Sequence, residues 1–141
     1  MARLLSKYGA LALCILACQI VATVARADVA TDEANIRDQL GGTTSLECKY
    51  YPLVDVMSFL SEYHDISIEF DHPEIERINV DLSDRTHVTK KTNGRLDVTL
   101  REILEPNNLS FMIKDGKLLV TSQPKARPWQ EKYMVETGRS K

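Results

Sequence analysis

Cysteine is scarce in this chain, and its placement removes most of what cysteine could do. Of three cysteines, Cys14 and Cys18 lie in an apolar N-terminal run and Cys48 stands alone in the remainder. Once that run is removed no intramolecular disulfide can form, so the fold must rest on its core. Histidine is equally sparse. His64, His72 and His87 are separated by 8 and 15 residues, which matches no zinc signature, and no second cysteine completes one. The chain has no Gly-x-Ser-x-Gly elbow to strain a nucleophile and no Asp-x-Asp-x-Asp-Gly calcium loop. Gly41-Gly42 opens no phosphate-binding motif. His64-Asp65 with nearby serines raises a Ser/His/Asp arrangement, but those serines lie in helix or strand patterns rather than on a tight turn. His64, at a helix end, reads as a cation suited to the dipole there. The pairs Asp81/Asp84 and Glu74/Glu76 read as solvated surface. No residue is assigned to catalysis, to a metal or to a cofactor, and an enzyme is not expected.

A strong excess of either charge is also missing. The start is weakly basic, with Arg3 and Lys7, and is followed by 17 uncharged, mostly apolar residues from Tyr8 to Val24. Ala25-Arg26-Ala27 comes next, with small residues where a signal peptidase reads. The pattern predicts a signal peptide over 1–27, cleaved between Ala27 and Asp28. A retained anchor is the rival reading, and the run is at the short edge of what spans a bilayer. Leu16-Ala17-Cys18 also resembles a lipobox that would lipidate Cys18, but the apolar run continues past it to the better Ala-x-Ala site. Cleavage leaves 15 basic and 20 acidic residues, a net charge of −5 with histidine neutral. An acidic surface of this kind excludes a nucleic-acid footprint, which needs a basic patch.

What is present is periodicity. Residues 28–42 are polar and end in Gly-Gly, and they read as a flexible lead with at most a helical turn near Ile36 to Leu40. Thr43 to Tyr50 alternates as a first strand, with Leu46, Cys48 and Tyr50 on one side. Pro52 opens a helix. Its residues Leu53, Val56, Met57, Phe59, Leu60 and Tyr63 cover an arc of about 160° at helical spacing. Ile66 to Phe70 alternates as a second strand, and Pro73 to Asn79 reads as a loop or short helix. His87 to Thr92 reads as a third, charged edge strand. Thr99-Leu100-Arg101-Glu102 has the form of a capping box, with Val98 and Ile103 as its hydrophobic staple. The helix it starts turns Leu96, Leu100, Ile103 and Leu104 inward, and Pro106 stops it. Asp115-Gly116 then joins two β-rich runs, Leu109–Lys114 and Lys117–Ser122, as a two-residue hairpin. After Ser122 two prolines and weak periodicity leave a tail over 123–141, which either binds a partner or folds back over the sheet.

The order predicts an α+β fold, βαββαββ, with two short helices packed on small mixed sheets. The domain spans 43–122. The quoted spacings run Pro52-Leu53-x-x-Val56-Met57-x-x-Leu60, then Ile66-x-Ile68-x-Phe70-Asp71, then Leu96 to Leu104, then Leu109-Ser110-Phe111-x-Ile113-x-Asp115-Gly116-x-Leu118-Leu119-Val120-Thr121. Over about Thr43 to Ser122 this resembles the secretin and TonB short N-terminal (STN) domain family. The resemblance implies a periplasmic or cell-envelope location and a stand-alone exported protein-interaction module without catalytic residues. It also implies an envelope partner, such as an outer-membrane secretin or a TonB-system component. The insert from Glu74 to Arg85 is longer than in compact members. The expected partner-binding positions are Val88, Lys90 and Thr92, on an edge open to strand addition, and Trp129 and Tyr133 in the tail. Two rival functions follow from other features. A small-ligand or glycan carrier would use a groove near Met57 and Phe59. An oligomerising envelope module would use Cys48 or the Trp129 tail.

Overall fold

Helical stripes and alternating runs become five α-helices and seven short strands among the described residues of the computed structural model, which are 28–47, 50–83, 85–86 and 92–138. In chain order they are α1 (28–41), β1 (Thr43–Leu46), β2 (Tyr51–Pro52), α2 (Leu53–His64), β3 (Ile68–Phe70), α3 (His72–Arg77), β4 (Arg85–Thr86), β5 (Thr92–Arg95), α4 (Leu96–Leu104), β6 (Leu109–Lys114), β7 (Lys117–Ser122) and α5 (Gln123–Glu136). A 3-10 turn, Glu105–Asn107, carries Pro106 and separates α4 from β6. The fold is α+β, with three small sheets and several helices.

The central sheet has the order β3-β7-β6, with β3 parallel to β7 and β6 antiparallel to it. Asp115 and Gly116 both have positive φ, 54° and 74°, as a type I′ hairpin turn requires. Gly116 is doubly constrained, because a Cβ there would lie 3.3 Å from the Asp32 Cβ of α1. The pairs Phe111–Val120 and Ile113–Leu118 share the buried face of this sheet. Two further antiparallel ladders, β1 with β5 and β2 with β4, run along the same two stretches of chain. Four residues separate β1 from β2 and five separate β4 from β5, so the register slips by one between the ladders.

One core joins these layers. It takes Ile36 and Leu40 from α1, Leu53, Val56, Met57 and Leu60 from α2, and Leu96, Leu100, Ile103 and Leu104 from α4, all packed with the sheet's apolar face. Among the described residues, no helix is long and apolar enough to cross a membrane.

Several expectations are corrected. The lead over 28–42 is helical through residue 41. Ile36 and Leu40, one turn apart, are both buried. The tail is likewise a helix, α5, through residue 136. Pro124 sits in its first turn, where a missing N–H costs nothing, and Pro128 lies inside it, where a proline ordinarily costs about 3 kcal/mol. Burial of Ala126 and Tyr133 and packing of Trp129 against the core offset that cost. The first strand stops at Leu46, and Cys48 lies outside the described residues.

The capping box does not form. α4 begins at Leu96, three residues before Thr99. The Asp97 carboxylate accepts the Val98 N–H at 3.0 Å and an N–H of Arg95 at 3.1 Å, which already satisfies a donor at this helix start. Thr99 is therefore buried inside the helix with its hydroxyl unpaired, and Val98 faces solvent.

Candidate binding groove

His64 is buried rather than a solvated cation at the end of α2. On a helical wheel the buried residues of α2 span an arc of only about 100°, and His64 falls within it beside Leu53, Leu60 and Met57. Its ring bridges three elements, meeting Thr44 Oγ1 of β1 at Nε2 and Gln39 Oε1 of α1 at Nδ1, the latter at 3.4 Å. The Gln39 oxygen can only accept, so Nδ1 carries the proton and Nε2 accepts from the Thr44 hydroxyl. Burial lowers the His64 pKa below its ordinary value and favours this neutral ring. The chain of hydroxyl, imidazole and amide has the connectivity of a nucleophile, a base and an orienting group. Thr44 is 1% exposed and His64 6%, so this arrangement joins β1, α1 and α2 beneath the surface.

A second polar cluster ties α3 to β7 and α5. Asp71 accepts from Thr121 at 2.7 Å and from Lys125 at 2.6 Å. Partial burial alone would raise the Asp71 carboxyl, but those two hydrogen bonds and the Lys125 charge hold it below the ordinary range. Glu74 accepts a two-pronged contact from Arg77 at 2.7 and 3.0 Å and a hydrogen bond from Ser122. The Arg77 hydrogen bonds, then that of Ser122, bring the Glu74 pKa down to about 2. Asp71 in turn raises Lys125, and Glu74 raises Arg77. Every carboxylate here has a cation and a hydroxyl as partners.

A third region is built differently. An open groove of about 370 Å³ lies between the end of β1 and the outer side of α2. Its lining includes Leu46 and Glu47, Tyr51 of β2, and Asp55, Val56 and Phe59 of α2. Leu46 and Val56 are buried and form its floor, whereas Tyr51 is 55% exposed and Phe59 47%. Tyr63, one turn past Phe59, stacks on it with ring centroids 5.8 Å apart and is 59% exposed. Neither Glu47 nor Asp55 makes a hydrogen bond or ion pair among the described residues. A smaller crevice of about 170 Å³ near the hairpin tip is bordered by Asp32, Asn35, Asp65 and Ser67 together with Ile36 and Ile66, and has no aromatic lining among the described residues.

The expected site residues scatter. Asp28 begins the described part of α1, while Ala27, Val88 and Lys90 lie outside the described residues. Thr92 is the first residue of β5 and pairs with Leu46. Trp129 and Tyr133 belong to α5 and are turned onto their own chain. They stack at 4.9 Å, and Trp129 packs 6.0 Å from Phe111. From the same helix, Gln130 donates to the Phe111 carbonyl at 2.6 Å. α5 thus covers β6, and these two aromatics serve the core. Met57 is buried in the core and Phe59 faces the groove. Glu47, Tyr51 and Asp55 are the groove residues that sequence reasoning misses. The adjacent pair Tyr50-Tyr51 just before Pro52 is the one local hint, since both cannot face inward on an extended chain.

Comparison with protein-family models, with curated proteins and with solved structures finds no match for this chain.

Proposed function

We propose that this chain is a non-catalytic protein-interaction module exported to the cell envelope, and that a segment of its partner docks in the groove between β1 and α2. The observation that carries this reading is the exposure of Tyr51 and Phe59 on a concave, apolar-floored surface, with Tyr63 stacked on Phe59, while Phe111, Trp129 and Tyr133 are packed within the fold. Aromatic side chains clustered on a surface are characteristic of interface centres. The resemblance of residues 43–122 to STN domains supports the compartment and the non-catalytic role, and the N-terminal pattern supports export.

A second reading is favoured by the size of the groove. The groove volume of about 370 Å³ falls within the range of small-ligand sites, roughly 300–1,000 Å³. Its openness favours a chain segment, because small-ligand sites enclose most of their ligand.

The test is site-specific photocrosslinking in intact cells, with the probe at position 59 and, as a control, at Val135, which is 68% exposed on α5. A discrete protein adduct from position 59 and none from 135 is expected. Adducts from 135 alone would reject the groove, and a small molecule retained by the protein in native mass spectrometry would favour the carrier. N-terminal sequencing of the same exported protein is expected to begin at Asp28.

A further inference from the structure

We propose that the groove selects a cationic segment, an extended stretch of partner protein that places Lys or Arg between apolar residues. This rests on the groove being the docking surface and adds the chemistry of its occupant. Among the described residues, the charged side chains in its lining are Glu47 and Asp55, both carboxylates. Other carboxylates, among them Asp32, Asp38 and Glu62, also form no ion pair among the described residues, and what distinguishes these two is their place in the groove lining. Asp71 is paired with Lys125, Glu74 with Arg77, Asp97 with Arg95 and Glu69 with Lys117. Glu47 and Asp55 have no such cation among the described residues.

The rest of the lining fits the other parts of a Lys or Arg side chain. Leu46 and Val56 offer an apolar floor for the methylene stem, which such residues lay along apolar surface while keeping the head group in water. Tyr51 and Phe59 offer ring faces, whose negative quadrupole attracts a cation. Glu62, exposed on the same helix, extends the negative field beyond the groove. An anionic peptide or an anionic lipid surface would meet two carboxylates with no cation among the described residues to balance them, and like-charge contact of this kind rejects wrong partners. The open side of the groove lets a chain enter and leave, which suits an extended segment better than an isolated amine.

Fluorescence anisotropy on the full exported chain tests this with four capped, labelled peptides. They share Val and Thr flanks and carry Arg, Lys, Leu or Glu at the centre. The expected order of affinity is Arg and Lys above Leu, with Glu weakest. The double substitution Glu47→Gln with Asp55→Asn is expected to weaken the Arg peptide about tenfold, the scale of two exposed ion pairs, and to leave the Leu peptide unchanged. Phe59→Ala is expected to weaken all four. If Phe59→Ala weakens all four but the double substitution changes none, charge selection is overturned while the groove stands. If neither variant alters any affinity, or no peptide binds at about 1 mM, both readings fall.

Discussion

Around α3 and α5, Asp71 and Glu74 are each held by a cation and a hydroxyl, and Trp129 and Tyr133 stack beside Phe111. Around the groove, Glu47 and Asp55 have no ion pair among the described residues, and Tyr51, Phe59 and Tyr63 stand in solvent. The same residue types are used in opposite ways. In the first region their interaction capacity is consumed within the chain, where it fastens helices to the sheet. In the second the two carboxylates form no ion pair among the described residues, and each aromatic residue is about half exposed, on a surface with a concave shape. An exposed aromatic gains little for folding, because the ring is still in water. Its contribution must therefore come from whatever else covers it, which is the physical basis for reading the groove as an interface.

The comparison can be broken most forcefully in the packed region. Phe111→Ala deletes a ring that is fully buried and is expected to cost about 4 kcal/mol, read as a fall in the urea midpoint. Tyr133→Ala, which removes the stack on Trp129 and uncovers β6, is expected to cost about 3 kcal/mol in the same assay. Acid should then act on the ion-paired carboxylate. The folded-state pKa of Glu74 is about 2 against an ordinary 4.5, so the folded protein binds fewer protons between those values. Its stabilisation is complete above about pH 4.5 and is lost as pH falls toward 2. Urea titrations across that window should show the slope, and Glu74→Gln should flatten it.

A gentler acid effect is expected from His64, whose pKa is lowered by burial from 6.5. The neutral ring stabilises the fold fully above about pH 6.5, and that stabilisation declines as pH falls through the lowered folded-state value. His64→Gln should abolish the decline just below neutrality while leaving the Glu74 window intact. The smallest expected effect on stability is that of Phe59→Ala, within about 0.5 kcal/mol as for other surface changes. A loss as large as that of Tyr133→Ala would mean that Phe59 serves the fold, and the contrast between the regions would disappear.

Legibility in the sequence followed the range of the forces involved. The Asp115-Gly116 hairpin is local chemistry, and it stands where the dipeptide places it. The inward faces of α2 and α4 are also local, and Leu53, Leu60, Leu100 and Leu104 are all buried. On α2 the apolar stripe was drawn too wide. Phe59 and Tyr63 lie at its edge, and His64, four residues after Leu60, takes the central place that the pattern reserves for an apolar residue. A histidine read only as a titratable group at a helix end conceals this, because its burial depends on Thr44 and Gln39 arriving from other elements.

The helices α1 and α5 were harder to see. Among its described residues α1 shows only Ile36 and Leu40 as large buried residues, and α5 contains Pro124 and Pro128. Both are stabilised by tertiary docking rather than by propensity. Phe59 was legible as a groove residue only in a reading that rivalled core packing, and Met57, named beside it, is in the core. Glu47, Tyr51 and Asp55 were not legible there, since they meet only when β1, β2 and α2 are assembled.

The most direct test of this account pairs Phe59→Ala with Tyr133→Ala and measures both the urea midpoint and the yield of a protein adduct from a crosslinker placed in the groove at Tyr51, which is exposed. Phe59→Ala should keep the midpoint and lose the adduct, and Tyr133→Ala should lower the midpoint while molecules that remain folded still form the adduct. An undiminished adduct in Phe59→Ala at full stability would contradict the assignment of the groove as the partner-facing surface.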